Sequence, residues 1–271
     1  MIVRLTEQEK QDVLRYIGDE RGRCLYMYMD ILKFGLDGPE VAVWSQRTGG
    51  ETAALMMKYH NGFHIYAKTS DVDYGEMAGL IRRVGPGLVC GEGPVIRSLS
   101  PSLPEYAAEY GVIYKLGKLR ARVDRTGVQA ARSDDFRQVA RMLADDEDYG
   151  SGFTLEELEE QFRGRQEAGL SRSLVLRQGR EVVAHVATGA ETADVATVNG
   201  LVVEKSLRHR GLATKMMTAL CAELQSEGKD VFSIVYVEPS ANLHRKIGFA
   251  EYCTWGKMFA SKSPDAESDR R

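Results

Sequence analysis

The chain has 271 residues, a formal net charge of −3 and a pI near 6.0. Hydrophobic residues make up 43% and charged residues 28% of it, a balance typical of a globular protein. The acidic balance speaks against a basic field for nucleic acid or an anionic membrane, and no apolar run reaches the ~20 residues of a membrane span. Since the N-terminus also lacks the apolar core of a secretory signal, we expect a cytoplasmic protein that binds neither nucleic acid nor membrane.

The first half of the sequence alternates helical and extended patterns in the order helix, helix, three strands, helix, strand. The hairpin signal Asn61-Gly62 joins the second and third of these strands. No helix is expected after the "GEG" segment at 91–93. The helices are predicted at 7–16, 24–36 and 74–83, and the strands at 41–44, 53–59, 63–67 and 88–90.

The second half repeats much of that order. Thr154 and Glu157 have the spacing of a capping box, which predicts the start of a helix, and Pro239 is expected to begin a loop. The helices are predicted at 134–143, at 154–168, from the segment 206–214 to about 228, and at 241–247, and the strands at 173–177, 182–190, 194–203, 231–237 and 249–259.

This repetition predicts two α+β units, residues 1–122 and 126–261. The basic stretch between them is expected to be a connecting strand or a linker. The segment 262–271 is so polar that we expect a disordered tail. The four cysteines lie far apart without a C-x-x-C pair, so we expect small core residues and predict no metal site.

The segment 206–214, "SLRHRGLAT", stands at the start of a helix and has the spacing of an anion-binding loop. It contains R-x-x-G-x-A (Arg208, Gly211, Ala213), whereas the G-x-x-x-x-G-K-[ST] and G-x-G-x-x-G phosphate loops are absent. The first N–H groups of a helix lack internal partners and carry a partial positive charge. Small residues at 211 and 213 let this backbone approach a phosphate closely, which favours a pyrophosphate site.

Together with this loop, "ATVNGLVV", "VFSIVYV" and "NLHRKIGF" resemble the GNAT superfamily of acetyl-CoA-dependent N-acetyltransferases over about residues 126–259. The first half keeps the strand order and resembles a second copy of the same fold, as in tandem GNAT proteins. The copy is degenerate because it lacks R-x-x-G-x-A. The resemblance implies two GNAT-like units, each with a mixed, mostly antiparallel sheet flanked by helices. It also implies acetyl-CoA as cosubstrate.

The resemblance assigns roles to particular residues of the second half. The backbone of Leu201 and Val203 would pair with the pantetheine arm and the acetyl group, and Asn242 would lie near the pantetheine or thioester end. The pyrophosphate would be held by Arg208, His209, Arg210, Gly211, Leu212, Ala213 and Thr214.

His244 marks a departure from the family pattern. It stands where many members have a tyrosine that protonates the leaving thiolate. A histidine with a pKa near 6.5 is mostly deprotonated at neutral pH, whereas a tyrosine near 10 holds its proton. His244 would act as the acid if neighbouring carboxylates raised its pKa, would donate a hydrogen bond to the sulfur, or would be a helix-face histidine without a catalytic part. We assign no general base.

The expected reaction is transfer of the acetyl group of acetyl-CoA to a small-molecule or peptide amine by direct attack in a ternary complex. The alternative is a non-catalytic acyl-CoA-binding or regulatory module, since the usual tyrosine is missing. The sequence leaves the oligomeric state open.

The stretch 134–160 suggests a cationic acceptor. It holds ten carboxylates against Arg137 and Arg141, so ten minus two leaves an excess of eight negative charges. In proteins that this one resembles, the first two helices and their connection border the acceptor cleft. The excess is either a solvated helical surface or an attractive field for a cationic amine.

Overall fold

A computed structural model describes residues 1–146 and 154–261. The chain forms two compact units, one made of Met1–Val112 and the segment from Cys253 onward, the other of Ile113–Tyr252. The C-terminal residues join the first unit because the last strand pairs with a strand of that unit. The domain limits 1–122 and 126–261 stay a prediction, and the predicted tail at 262–271 lies outside the described residues.

The first unit builds its sheet from strands in the order β1-β2-β3-β4-β5-β12. Its neighbours are antiparallel except for β4 and β5, which run parallel and are linked through α3. A parallel pair requires such a crossover connection. The elements are β1 Ile2–Arg4, α1 Lys10–Ile17, α2 Leu25–Phe34, β2 Val41–Thr48, β3 Glu51–Tyr59, β4 Gly62–Ala67, α3 Tyr74–Val84, β5 Leu88–Glu92 and α4 Gly93–Leu99, with β6 Tyr106–Leu116 leading into the second unit and β12 Phe249–Ala260 returning to the first.

The second unit repeats the same succession of elements. Its strands follow the order β11-β10-β9-β8-β7, again antiparallel except for the parallel pair β10 and β11, which α7 connects. The elements are β7 Val128–Ala130, α5 Phe136–Ala144, α6 Leu155–Glu167, β8 Ser173–Gln178, β9 Glu181–Glu191, β10 Val195–Val203, α7 Leu212–Ser226, β11 Asp230–Val235 and α8 Glu238–Ile247. The predicted fold class, two α+β units with mixed and mostly antiparallel sheets, is confirmed.

Helices cover both faces of the first sheet, so its central strands are apolar on both sides. In β3, Ala54 and Met56 belong to the core beneath α3 and α4, while Leu55 and Met57 belong to the core beneath α1 and α2. Successive side chains of a strand point to opposite faces. The continuous apolar run in β3 is therefore the pattern of a strand buried on two sides.

In the second unit, α5 and α6 pack with Val175, Ala187 and Val202 into one core. α7 packs on β9, β10 and β11 through a separate apolar stripe that includes Met217 and Leu220. This helix placement puts the N-terminus of α7 at the end of β10. Among the described helices, none is long and apolar enough to cross a membrane.

Two sequence expectations about helices are wrong. A helix does follow "GEG", because α4 begins at Gly93 and buries Val95 and Ile96. Pro239 lies inside the first turn of α8 rather than in a loop. Proline is compatible with the first turn of a helix, where its missing N–H would have had no intrahelical acceptor.

The N-terminus of α3 is capped by a carboxylate. Asp73 has extended backbone angles, and its side chain accepts a hydrogen bond from the Glu76 N–H at 2.9 Å. This cap satisfies one of the free N–H groups of the helix and complements its partial positive charge.

Replacing Asp73 with alanine should lower the free energy of unfolding by about 1 kcal/mol, because the first turn of α3 loses its cap. Asp71→Ala is the matched control: Asp71 is an exposed carboxylate in the preceding loop, and its loss should change stability by no more than about 0.5 kcal/mol. Urea unfolding of both variants measures the difference. Equal effects of the two substitutions would contradict the capping role.

Candidate functional site

A cleft opens in the second unit where the parallel strands β10 and β11 part. They pair from Val195 opposite Asp230 to Val198 opposite Ser233, and both strands continue beyond that point. A cavity of about 370 Å³ lies between the continuing segments. It is lined by residues 198–203 from β10, residues 233–237, parts of α7 and α8, and by Asp146 and Arg208.

A β-bulge in β10 shapes one wall of this cleft. The register with β9 shifts between Asn199 and Val202, and Gly200 has a left-handed φ of +62°. A Cβ at Gly200 would lie 2.7 Å from a ring carbon of Phe162. Both the backbone conformation and the close approach of the ring therefore require glycine here.

His185 of β9 stabilises the bulge through a hydrogen bond. Its Nδ1 lies 2.7 Å from the Gly200 carbonyl oxygen, to which it donates, and Phe162 packs edge-on against its ring with 5.2 Å between the ring centroids. Burial lowers the pKa of His185 to about 4, although the hydrogen bond that His185 donates to the Gly200 carbonyl oxygen opposes this shift. The imidazole is therefore neutral at physiological pH and acts as a structural donor.

The loop before α7 has the geometry that its composition predicts. His209 and Gly211 have left-handed φ values of +61° and +81°, and Gly211 is the N-cap of α7 without any side-chain cap. No heavy atom lies within 4 Å of a Cβ built on Gly211. The N–H groups of the first turn, at Leu212 to Thr214, thus face an open approach that suits an anion.

Arg208 braces the loop against the cleft wall. Its Nε donates to the Val203 carbonyl oxygen at 3.1 Å, and its Nη2 lies 2.9 Å from Asp146. His209 and Arg210 are exposed. The three basic residues therefore differ in placement: one is tied to the end of β10, and two lie on the surface beside the helix N-terminus.

His244 of α8 is 3% exposed and lies on the floor of the cleft. Its Nδ1 lies 2.7 Å from the Ser240 carbonyl oxygen, and its Nε2 lies 2.9 Å from the Ser233 hydroxyl. Burial lowers the pKa of His244, against a smaller opposing effect of the Ser240 hydrogen bond. Among the carboxylates that the structure describes, none raises the pKa of His244, whereas a role as imidazolium acid would require one that did.

The sequence-predicted site residues are brought together in part. Leu201, Val203, Arg208, Ala213 and His244 line the cleft, while Gly211, Leu212 and Thr214 form the adjacent helix entrance. Asn242 is exposed on α8, where its side-chain oxygen accepts a hydrogen bond from Arg245 at 3.0 Å. A contact between Asn242 and a bound acyl chain stays a prediction.

Three polar residues of the cleft were missed from the sequence: Asn199, Ser233 and Ser240. The Asn199 side-chain oxygen is buried without a hydrogen-bond partner in the described structure. Asn199 and Ser233 lie in the two predicted strands on either side of the segment 206–214, and Ser240 lies in the first turn of α8. Which residues of the two strands face the cleft depends on where the strands part, and the sequence does not specify that point.

The corresponding region of the first unit is built differently. After β4, the helix N-terminus carries the Asp73 carboxylate instead of an uncapped glycine. At the end of β5, Glu92 is buried and pairs with Arg23 at 2.7 Å. Negative charge and a side-chain cap thus occupy the position at which the second unit presents free N–H groups.

Half of the described carboxylates in the stretch 134–160 have cationic partners. Of the eight that the structure describes, four form ion pairs; Glu147 and Asp148 lie outside the described residues. The pairs are Asp135 with Arg177, Asp146 with Arg208, Glu159 with Arg137 and Arg163, and Glu160 with Arg163. The unpaired negative charge near α5 and α6 is therefore smaller than the composition indicates.

Gly200→Ala should destabilise the second unit far more than Gly179→Ala. Both glycines have φ of +62°, but a Cβ at Gly179 meets nothing within 4 Å. The left-handed conformation costs about 1–2 kcal/mol at either site, and the clash with Phe162 adds about 1–3 kcal/mol at Gly200 alone. Equal losses in urea unfolding would show that the ring does not constrain the bulge.

Stability should fall as the pH is lowered from about 6.5 towards about 4, in part because His185 has a folded pKa of about 4. In this window the unfolded chain binds a proton that the folded protein excludes, so the free energy of unfolding rises with pH. His185→Gln should reduce the slope of the unfolding free energy against pH by the equivalent of up to one bound proton. Urea titrations at several pH values across the window measure this slope. A slope identical to that of the parent would contradict a neutral buried His185.

The second unit is similar to a known protein family. Residues 137–249 match the model of the acetyltransferase (GNAT) family. No curated protein sequence matches the chain. Similar solved structures include a GNAT-family acetyltransferase from Colwellia psychrerythraea, a GCN5-related N-acetyltransferase from Sphaerobacter thermophilus and a tandem GNAT protein from the clavulanic acid biosynthesis pathway.

The Colwellia structure is 13% identical with a TM-score of 0.58, covering 97% of this chain and 100% of that one. The Sphaerobacter structure is 16% identical with a TM-score of 0.60, covering 95% and 94%. The tandem protein is 12% identical with a TM-score of 0.55, covering 97% and 99%. The chain thus has the tandem GNAT fold, and its residues 137–249 match the model of the GNAT acetyltransferase family.

Proposed function

We propose that the second unit is an N-acetyltransferase that moves the acetyl group of acetyl-CoA to an amine by direct attack in a ternary complex. The observation that carries this proposal is that a helix N-terminus without a side-chain cap adjoins the cleft. The uncapped N-terminus of α7 behind Gly211 stands at the mouth of the cleft between β10 and β11. An anion-binding end joined to a narrow, largely apolar groove suits a ligand with a pyrophosphate and a long flexible arm.

In this proposal the pyrophosphate accepts hydrogen bonds from the N–H groups of Leu212 to Thr214. The left-handed Gly211 keeps the approach free of a Cβ, and the exposed Arg210, next to His209, adds positive charge at the rim. Arg208 contributes by holding the loop to Val203 and Asp146. The helix end supplies oriented donors whose arrangement is fixed before the ligand arrives.

The pantetheine arm of acetyl-CoA is proposed to lie along β10 as an additional strand would. Pairing of β10 with β11 reaches Val198, so the backbone of Leu201 and Val203 lies along the cleft. An extended amide-containing arm can use such an edge for backbone hydrogen bonds. The thioester carbonyl is proposed to lie beside the bulge at Gly200, beyond the last paired residues of β10 and β11.

The amine nitrogen attacks the thioester carbonyl carbon, and the thiolate leaves. Holding both reactants in one cleft replaces a collision in solution by a step within the complex. The acceptor is proposed to be a small-molecule or peptide amine. A cationic acceptor stays a prediction, and the ion pairs along α5 and α6 weaken the attraction that would favour it.

Gly211→Asp should weaken acetyl-CoA binding about 100-fold or more, while Gly211→Asn should have a much smaller effect. Asn and Asp are similar in size and both tolerate left-handed φ, so the pair isolates the negative charge. A charge about 4 Å from a phosphate costs up to about 4 kcal/mol at an effective dielectric constant of 20. Calorimetric titration with acetyl-CoA measures both variants. Equal affinities of the two variants would place the pyrophosphate elsewhere.

Turnover is tested with saturating acetyl-CoA and a panel of amines, namely benzylamine, lysine methyl ester, spermidine and glycylglycine, at low and high ionic strength. Release of free CoA that depends on the amine supports acetyl transfer. Tight binding of acetyl-CoA without turnover of any amine would favour the non-catalytic binding or regulatory module.

If the acceptor is cationic, its KM should rise with salt because exposed charges are screened beyond about 8–10 Å. A KM that does not change with salt would exclude electrostatic attraction of the acceptor by the carboxylates of the stretch 134–160.

A further inference from the structure

We propose that Ser233 and His244 form a proton-accepting relay in the acyl cleft, in which the attacking amine passes a proton to the Ser233 hydroxyl while that hydroxyl passes its own proton to Nε2 of His244. This inference rests on the proposed acetyl transfer and assigns the base that the sequence left open. Ser233 would touch the reacting amine, and His244 would act through it.

The hydrogen-bond geometry defines the direction of the relay. A carbonyl oxygen can only accept, so the 2.7 Å contact with Ser240 places the proton of the neutral imidazole on Nδ1. The other nitrogen, Nε2, then carries a lone pair and faces the Ser233 hydroxyl at 2.9 Å. The single proton of the Ser233 hydroxyl has two acceptors within reach, Nε2 of His244 at 2.9 Å and the Val198 carbonyl oxygen at 3.3 Å, and the shorter contact is the one to His244. A hydroxyl, a base and a third group that orients the base form the arrangement by which proteins activate hydroxyl groups.

The surroundings of His244 favour the neutral, proton-accepting form. Phe249 packs edge-on against the ring at 5.0 Å between centroids, and Tyr114 of β6 lies at 5.8 Å. Tyr114 is the titratable group that faces the ring from β6; burial raises its pKa, and its hydroxyl bonds Glu251. Burial also lowers the pKa of His244. At neutral pH the imidazole has an available lone pair and no second proton to give.

Ser233 is placed where the reaction would occur. It is the last residue of β11 in register with β10, opposite Val198, and its hydroxyl lies 3.3 Å from the Val198 carbonyl oxygen. The residue is 5% exposed and lines the cleft at the point where the strands part. The bulge at Gly200 lies two residues further along β10. The hydroxyl thus stands beside the position proposed for the thioester.

The proton and bond changes balance without any further reactant. The neutral amine forms an N–C bond with the thioester carbonyl, and the resulting N–H⁺ gives its proton to the Ser233 oxygen as the hydroxyl proton moves to His244 Nε2. The C–S bond then breaks, giving the amide and the CoA thiolate. The imidazolium returns its proton through Ser233 to the thiolate, which restores both residues and leaves CoA as the thiol.

The test uses the full-length protein with acetyl-CoA and the same four amines, in the variants Ser233→Ala, His244→Gln and the double variant. The amide oxygen of glutamine can accept a hydrogen bond from Ser233 but is not a base. Each single variant should lower kcat about 10²–10³-fold, with the acetyl-CoA Kd within about threefold of the parent. The double variant should lose no more than either single variant, since the two groups act as one unit. Ser226→Ala, an exposed serine at the end of α7, is the control.

The pH profile separates a proton-accepting role from a structural one. The parent kcat should fall as the pH drops through the pKa of His244, below 6.5, and this limb should be absent in Ser233→Ala. Losses that multiply in the double variant, or a parent-like kcat in His244→Gln or Ser233→Ala, would overturn the relay while leaving acetyl transfer intact. Acetyl-CoA binding without turnover of any amine would also overturn the relay. Failure of the parent to bind acetyl-CoA would overturn the proposed function itself.

Discussion

The parting of β10 and β11 is the constraint on which the candidate site depends. Two parallel strands that stay paired leave no room for a ligand, whereas here the pairing reaches Val198 and Ser233 and a cleft of about 370 Å³ follows. The bulge at Gly200 lies in the segment of β10 beyond this pairing, and the Phe162 ring and a hydrogen bond from His185 fix its conformation. Contacts within the second unit therefore shape the wall of the cleft that β10 forms.

The two units share one order of elements but differ at the N-terminus of the helix that links their parallel strands. Both place a helix after the strand that begins the parallel pair, and both repeat the same order of elements. At the N-terminus of that helix, Gly211 leaves the first turn of α7 without a side-chain cap, whereas Asp73 caps α3 with a carboxylate. The helix end in the second unit therefore suits an anion, whereas the one in the first unit already carries a carboxylate.

Much of the fold was predictable because long periodic segments and glycine-containing turns carry strong local signals. The short strands β1 and β7 were not, since three residues are too few to show a period. α4 was missed, since no helix was expected after "GEG"; Pro94 lies in its first turn, where proline is compatible with a helix. Of the site, the loop could be predicted from its own composition. Ser233 could not, because its role depends on the register of a strand and on a histidine eleven positions away in α8.

The central claim is that the open end of α7 and the splayed strands form one acetyl-CoA site. The most direct measurement is a crystal structure of the full-length protein with acetyl-CoA. We expect the pyrophosphate at the N–H groups of Leu212 to Thr214 and the thioester between β10 and β11, beside the Ser233 hydroxyl. Acetyl-CoA bound in the first unit, or in the second unit with its pyrophosphate away from Gly211, would contradict this account.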